Sequence, residues 1–263
     1  MNYFDPKSAA ERYAKGRPYF HPQVIKQIKE YLSLKEPVRH ALDLGCGTGL
    51  STRALREIAE EVVGLDLSTE MIAQAPKEAQ ITYAVSSAEE IPIGDNRFDL
   101  LTLSSVFHWL DRDRFFPEAR RVLRPGGWLV LYDNYFYAQM EENPEFQTWN
   151  RDVYLWKYPT PPRNRAAFGA EEAKKQGFHF LATEQYQNTI SFSVEGLADY
   201  LLTQSNMMAA VEGGQETLAD VTIWLKEEIQ PLFTLKGESL EQARFLFGGP
   251  IFYCKKPFYR GER

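Results

Sequence analysis

The run richest in chemistry is Asp43-Leu-Gly-Cys-Gly-Thr-Gly49, three glycines at alternate positions behind a carboxylate. Gly45 and Gly47 let the backbone turn sharply and meet a ligand with no Cβ in the way, while Gly49 lets a following helix pack closely. The fingerprint that aims a helix N-terminus at a pyrophosphate is GxGxxG. Here the third glycine comes one residue early, and Leu50 stands where that pattern wants glycine. Asp43, at the mouth, would repel a phosphate but accept hydrogen bonds from an ammonium. Twenty-one residues after Gly45, Asp66 falls where an acid accepts hydrogen bonds from both ribose hydroxyls. Leu67 and Met71 follow it, either as apolar walls for an adenine ring or as ordinary core. Together these residues describe an adenosine-bearing ligand with a cationic head and no phosphate, which is the chemistry of S-adenosylmethionine.

Such residues need a strand–loop–helix scaffold, and the pattern supplies one. A helix is expected over Pro22 to Leu34, with Val24, Ile25, Ile28, Tyr31 and Leu32 on one face. Strands are expected over His40–Leu44, Glu61–Leu67, Ile81–Val85, Phe98–Ser104 and Trp128–Tyr132. Helices fall between them over Leu50–Ala59, from Ser68 as N-cap through Met71 and Ile72, and over Phe115–Leu123. This alternation implies right-handed crossovers and a mainly parallel sheet covered on both faces, with the glycine loop at the switch-point crevice. The alternation stops after Asp133. Helices are expected over Met140–Tyr158, Ala170–Gln176, Val194–Leu202 and Leu218–Leu232, a β-rich stretch over Phe178–Phe192, and a last strand at Ile251–Cys254.

Composition narrows the function. The chain has 263 residues, 44% hydrophobic and 25% charged, with a net charge of −6. A nucleic-acid binder gathers phosphates with a basic patch; Arg120, Arg121 and Arg124 read instead as the polar face of a helix, so no nucleic-acid partner is expected. No apolar run reaches the length of a membrane span, and Met1 to Lys15 carries no apolar signal segment. Cys46 and Cys254 offer no metal framework, so no metal is expected, and a reduced, cytoplasmic setting fits them.

With these motifs in order, the chain resembles the class I S-adenosylmethionine-dependent methyltransferases, in particular the small-molecule branch with the trans-aconitate and ubiquinone/menaquinone-biosynthesis enzymes. The likeness runs through ALDLGCGTGLST (41–52), VVGLDLSTEMI (62–72), SSAEEIPIGDNRFDLLTLSSVFHWLD (86–111) and VLRPGGWLVLYD (122–133). It implies an α/β fold: a Rossmann-like, seven-stranded, mostly parallel sheet with helices on both faces, the last strand antiparallel, plus a mainly helical cap insertion. It also implies three stretches: 1–36 closing over the cofactor, 37–134 as the cofactor-binding core, and 135–263 completing the sheet and adding the cap. Position by position, the family's glycine loop falls on Gly45, Gly47 and Gly49, and its ribose acid on Asp66. The segment that usually reads Asp-Ala-Glu beside the adenine is Ser87-Ala88-Glu89, a neutral hydroxyl replacing the acid. Ser104 would lie beneath the methionine moiety. Tyr13 and Arg17 match residues that close over the cofactor, Arg17 as a fork for its carboxylate.

Methyl transfer from a sulfonium needs alignment, exclusion of water and a competent nucleophile on a small-molecule acceptor. His108, just after the fourth strand, is the candidate base or acceptor contact; its structural alternative is to anchor the loop. His21, His40 and His179 read as structural. Ten aromatic residues between Trp128 and Tyr158 suit either packing or a lid over an aromatic acceptor, whereas Arg151, Arg163 and Arg165 suit an acidic one. A nicotinamide-dependent oxidoreductase and a catalytically silent cofactor-binding module are the competing readings.

Overall fold

The computed structural model describes residues 3–164, 166–235 and 237–258. Along the chain the helices are α1 (Lys7–Gly16), α2 (His21–Tyr31), α3 (Leu50–Leu55), α4 (Thr69–Gln74), α5 (Arg112–Val122), α6 (Glu145–Trp149), α7 (Leu155–Lys157), α8 (Ala170–Lys175), α9 (Val194–Leu201), α10 (Ser205–Glu212) and α11 (Leu218–Ile229). The strands are β1 (Val38–Leu44), β2 (Ala59–Asp66), β3 (Ile81–Val85), β4 (Phe98–Ser104), β5 (Leu123–Tyr132), β6 (Tyr135–Met140), β7 (His179–Phe192), β8 (Thr234–Leu235), β9 (Glu238–Ser239) and β10 (Ala243–Lys255). These elements fall into two compact units, one of residues 19–134, 163–186 and 249–263, the other of 1–18, 135–162 and 187–248. The boundaries do not follow sequence order. The N-terminal stretch 1–36 divides at Pro18/Tyr19.

The first unit is the expected α/β layer. Its strands run β3-β2-β1-β4-β5-β10, with β7 also paired to β10, which makes seven. β1 through β5 are parallel, and Ile251–Lys255 of β10 runs antiparallel to Trp128–Tyr132. Alternation along the strands builds two cores. Leu42, Leu44, Leu101, Leu103, Leu129 and Leu131 face α5 and α8, while Ala41, Leu100, Val130 and Tyr132 face α2 and α3. The sheet is therefore buried on both sides, as parallel strands require.

The second unit is assembled from distant segments. β6 pairs antiparallel with the first half of β10, Met140 opposite Phe245 and Tyr135 opposite Gly248. Around Phe146, Tyr200, Phe245 and Phe247, all nearly or fully buried, pack residues of α6, α9, α10 and α11. The helix expected over Met140–Tyr158 is not one element. Residues 135–140 alternate toward the core with period two and form β6, and α6 starts only after Pro144, where Asn143 Oδ1 accepts the Glu145 N–H at 3.0 Å. The segment then passes through a π-helical turn at Asn150–Tyr154. Two helices, α1 and α10, have no counterpart among the expected elements.

Candidate functional site

The glycine loop stands where the sequence pattern puts it, between the C-terminus of β1 and α3. Gly45, Gly47 and Gly49 have φ of +67°, +53° and +83°, left-handed values that disfavour any side chain. Space is as restrictive as conformation. A Cβ at Gly45 would fall 2.4 Å from Cγ2 of Val106, and one at Gly49 would fall 2.5 Å from the Tyr83 hydroxyl. The loop is tied down by Leu65, whose carbonyl accepts the N–H groups of Gly45 (2.7 Å) and Cys46 (3.1 Å).

Asp66 closes this arrangement. Its Oδ2 accepts the Gly47 N–H at 2.8 Å and its Oδ1 accepts the Ser68 N–H at 2.9 Å, so each carboxylate oxygen is aimed by a backbone donor. The side chain is half-buried at the end of β2, beside the glycine loop. Ser68 caps α4 through its Oγ, which accepts the Met71 N–H at 3.2 Å, as the pattern had suggested.

The other carboxylate behaves differently. Asp43 has no exposed surface. Alternation along β1 turns it toward α3, where Ser51 and Thr52 donate to its Oδ2 at 2.6 and 2.7 Å, and Thr102, its register neighbour on β4, donates to Oδ1 at 3.1 Å. Burial pushes its carboxyl up to about 6 against the lowering effect of these hydroxyls. In this geometry Asp43 bolts the loop helix to two strands. The expectation that it meets a ligand ammonium directly is corrected accordingly, and the hydroxyls that hold it went unseen. Their signal was available: a threonine in the otherwise apolar run Leu100–Leu103, opposite Asp43.

The remaining candidates scatter. Leu67 is 60% exposed beside Asp66, whereas Met71 at 3% exposed belongs to the interior. Ser87 donates to Glu89 Oε2, and the Glu89 N–H returns a bond to Ser87 Oγ at 3.0 Å. Ala88 is buried beside this turn, and Glu89 Oε1 accepts the Asp111 N–H at 3.0 Å. Ser104 ends β4 opposite Tyr132, and Ser105 takes a left-handed φ of +57°. Tyr13 and Arg17 lie in the other unit. There the Arg17 guanidinium sits 4.7 Å from the Tyr13 ring centroid and 5.5 Å from that of Tyr200, and it donates to the Thr203 carbonyl at 2.9 Å.

His108 lies in a single 3₁₀ turn, Phe107–Trp109, two residues past the Val106 that packs on Gly45. Its Nε2 stands 3.3 Å from Nη1 of Arg163. A guanidinium only donates, so Nε2 is the unprotonated nitrogen. Burial first, then the charges of Arg163 and Arg112, hold its pKa down to about 4. Among the other histidines, His21 Nδ1 meets the Tyr132 hydroxyl at 3.0 Å, His40 lies between Glu61 and Arg124, and His179 is exposed. Arg151 pairs with Asp152, and Arg165 lies outside the described residues. Most of the aromatic residues in 128–158 are core; Trp156, 82% exposed, is not.

Comparison with known proteins agrees with this geometry. Residues 42–131 match the family model for a methyltransferase domain. Over 128 residues the chain is 40% identical to an uncharacterized methyltransferase of Mycobacterium tuberculosis, covering 48% of this chain and 51% of that one. Over 134 residues it is 32% identical to a malonyl-[acyl-carrier protein] O-methyltransferase of Enterobacter lignolyticus, covering 48% and 53%. The aligned segment thus spans about half the length of these relatives. In three dimensions the chain superposes on a structure described as a type II methyltransferase from Anaeromyxobacter dehalogenans, with a TM-score of 0.70, 23% identity and coverage of 92% and 99%. The match begins one residue before Asp43 and ends at Leu131, enclosing loop, Asp66 and the His108 turn, and over this stretch the chain is similar to methyltransferase domains.

Proposed function

We propose that the chain binds S-adenosylmethionine at the glycine loop and transfers its methyl group to a small molecule. The carrying observation is Asp66, whose two oxygens are each aimed by a backbone N–H where β2 meets the glycine loop. When bound, the cofactor supplies an electrophilic methyl group.

A small acceptor is favoured by how the chain uses its cations. Arg121 is spent on Glu118, Asp95 and the carbonyls of Ile91 and Ile93, and Arg124 on Asp99. These arginines do not form the phosphate-gathering stripe that a nucleic acid needs. No described helix is long and apolar enough to cross a membrane. Both cysteines are buried and unbridged, which suits the cytoplasm. His108 is proposed as an anchor of the turn beside the loop. With its pKa near 4 it is a weak proton acceptor. Cofactor-contacting roles for Tyr13, Arg17, Ser87–Glu89 and Ser104 rest on the family resemblance, and those for Leu67 and Met71 on their place after Asp66.

Calorimetry with S-adenosylhomocysteine and with NAD⁺ tests the reading. The wild-type chain is expected to bind the former, and Asp66→Ala to weaken that binding by about 1–3 kcal/mol through lost charge-assisted bonds. Binding of NAD⁺ alone, or an affinity indifferent to Asp66, refutes it. Turnover is then read by mass spectrometry of methylated products. A chain that holds the cofactor and methylates nothing in a broad acceptor screen is a binding module.

A further inference from the structure

Among the described strands the main sheet ends in β3, β6 and β7, and these three edges are built differently. β3 is only five residues long. β6 is interrupted: its register on β10 slips between Leu246 and Phe247, and Ala138 takes a left-handed φ of +53°. Short strands and bulges are two of the ways in which proteins keep a sheet edge from recruiting another strand. β7, whose one partner among the described strands is β10, has neither. It runs for 14 residues, the longest described strand, and none of them takes a left-handed φ.

Its side chains give no protection either. His179–Phe192 contains no proline, lysine or arginine. Its one carboxylate, Glu184, is turned onto β10, where it accepts the Tyr253 hydroxyl at 2.8 Å, and the Tyr253 ring in turn stacks on Tyr31 of α2. Every second residue from His179 to Ser191 is exposed, among them Leu181, Thr183, Gln185 and Thr189. A long, uncharged edge with threonine and amide side chains is a ready template for strand addition.

We infer that β7 pairs with β7 of a second copy of this chain, antiparallel, so that two sheets join into one across a two-fold axis. Self-complementarity selects that occupant. Residues opposed in an antiparallel pair lie on the same face, so the axis must pass beside a single residue of the strand. Of the two central residues Tyr186 is buried and Gln185 exposed, and two Gln185 amides set opposite each other can each donate and accept. Centred there, the strands overlap in full, with Leu181 opposite Thr189 and His179 opposite Ser191. Glu184 falls opposite position 186 and not opposite its own copy, so no like charges meet. The pairing uses backbone groups along the whole strand and is independent of the cofactor reading above.

Sedimentation velocity of the full chain over a concentration series tests the inference. The wild type is expected to form a reversible dimer, and amide hydrogen exchange over His179–Phe192 to slow as the dimer forms. Thr183→Lys with Gln185→Lys gathers four cations around the axis and should weaken association at least about 10-fold. Thr183→Glu with Gln185→Glu should do the same with four anions. A mixture of the two charged variants should dimerise again, while the uncharged Gln185→Thr keeps the dimer throughout. Circular dichroism checks that each variant is folded; if a charged variant is not, exchange in the wild type decides. A wild type that stays monomeric at every concentration overturns the inference, whether or not a foreign peptide seats on the edge. So does a dimer that both folded charged variants retain, a mixture that does not recover, or exchange in β7 that is indifferent to dimerisation.

Discussion

Beneath the glycine loop the buried centre is a carboxylate ringed by three hydroxyls, Asp43 with Ser51, Thr52 and Thr102. In the unit built from residues 1–18, 135–162 and 187–248 the centre is a raft of aromatic rings around Phe245 and Phe247. The first fixes geometry through directional bonds. The second stabilises by area and packing, with little orientation to protect. Left-handed φ occurs in both, at Gly45, Gly47, Gly49 and Ser105 near the loop and β4, and at the buried Ala138 of β6. A loop that must present atoms at set distances relies on polar bolts, whereas the shape of the other unit is held by packed phenyl rings.

The largest effect should come from the apolar side of this comparison. Phe245 is fully buried, 4.9 Å from the Phe146 ring in an edge contact and within about 6 Å of Phe136, Phe192 and Phe233. Phe245→Ala removes a ring and leaves a cavity among side chains that cannot all collapse into it, a cost of about 3–5 kcal/mol. Urea unfolding checks it. A loss under 1 kcal/mol would mean that this core is loose, and the contrast with the loop would fail.

The same contrast explains what could be read from the sequence. Each strand and helix of the first unit is a local event, with periodicity, cap and glycine within one short window, so β1 to β5 and the Ser68 cap stand close to where the pattern sets them. Boundaries moved where local and tertiary preferences compete: Ala59 joins β2 instead of prolonging α3, and Leu123 already belongs to β5. In the second unit the partners are far apart in sequence. β6 is a strand because the first half of β10, about a hundred residues later, supplies its hydrogen bonds. No strand is therefore expected over Tyr135–Met140 from local pattern alone, and its aromatic residues read as packing or lid until that partner is known. At the site, spacing found Asp66 but not the orientation of Asp43. Which face a strand residue turns to depends on register, and the hydroxyls that hold it come from two other elements.

Asp43 allows a sharper test of the polar centre, through pH. Its carboxyl is raised from 3.8 to about 6, so the folded state binds the proton more tightly than the unfolded chain. Between those values the folded form carries more protons, and this group's contribution to stability falls as pH rises. The lost stability amounts to about 3 kcal/mol. His108 slopes the other way, since its folded pKa near 4 lies below 6.5 and its contribution rises with pH over that window. Wild-type stability alone therefore hides both effects, and a paired comparison is needed. Asp43→Asn has no titration there. The stability difference between wild type and Asp43→Asn, measured by urea unfolding at pH 4 and pH 7, should move by about 2 kcal/mol in favour of the asparagine variant. The asparagine's altered bonding to Ser51, Thr52 and Thr102 adds an offset that does not depend on pH. Parallel curves would show that Asp43 stays ionised throughout.

The smallest effect separates a local cap from the ligand-orienting clamp next to it. Ser68 does two things: its Oγ accepts the Met71 N–H, and its backbone N–H donates to Asp66 Oδ1. Ser68→Ala removes the first and keeps the second, because the backbone donor survives the substitution. Capping loss at the start of α4 should cost about 1 kcal/mol in urea unfolding. S-adenosylhomocysteine affinity should remain within about twofold of wild type, since a change that small is under 0.5 kcal/mol. If affinity instead falls in step with stability, the carboxylate of Asp66 is aimed by the whole first turn of α4 and not by the two N–H groups alone, and the division between orienting bonds and stabilising ones would have to be redrawn at this residue.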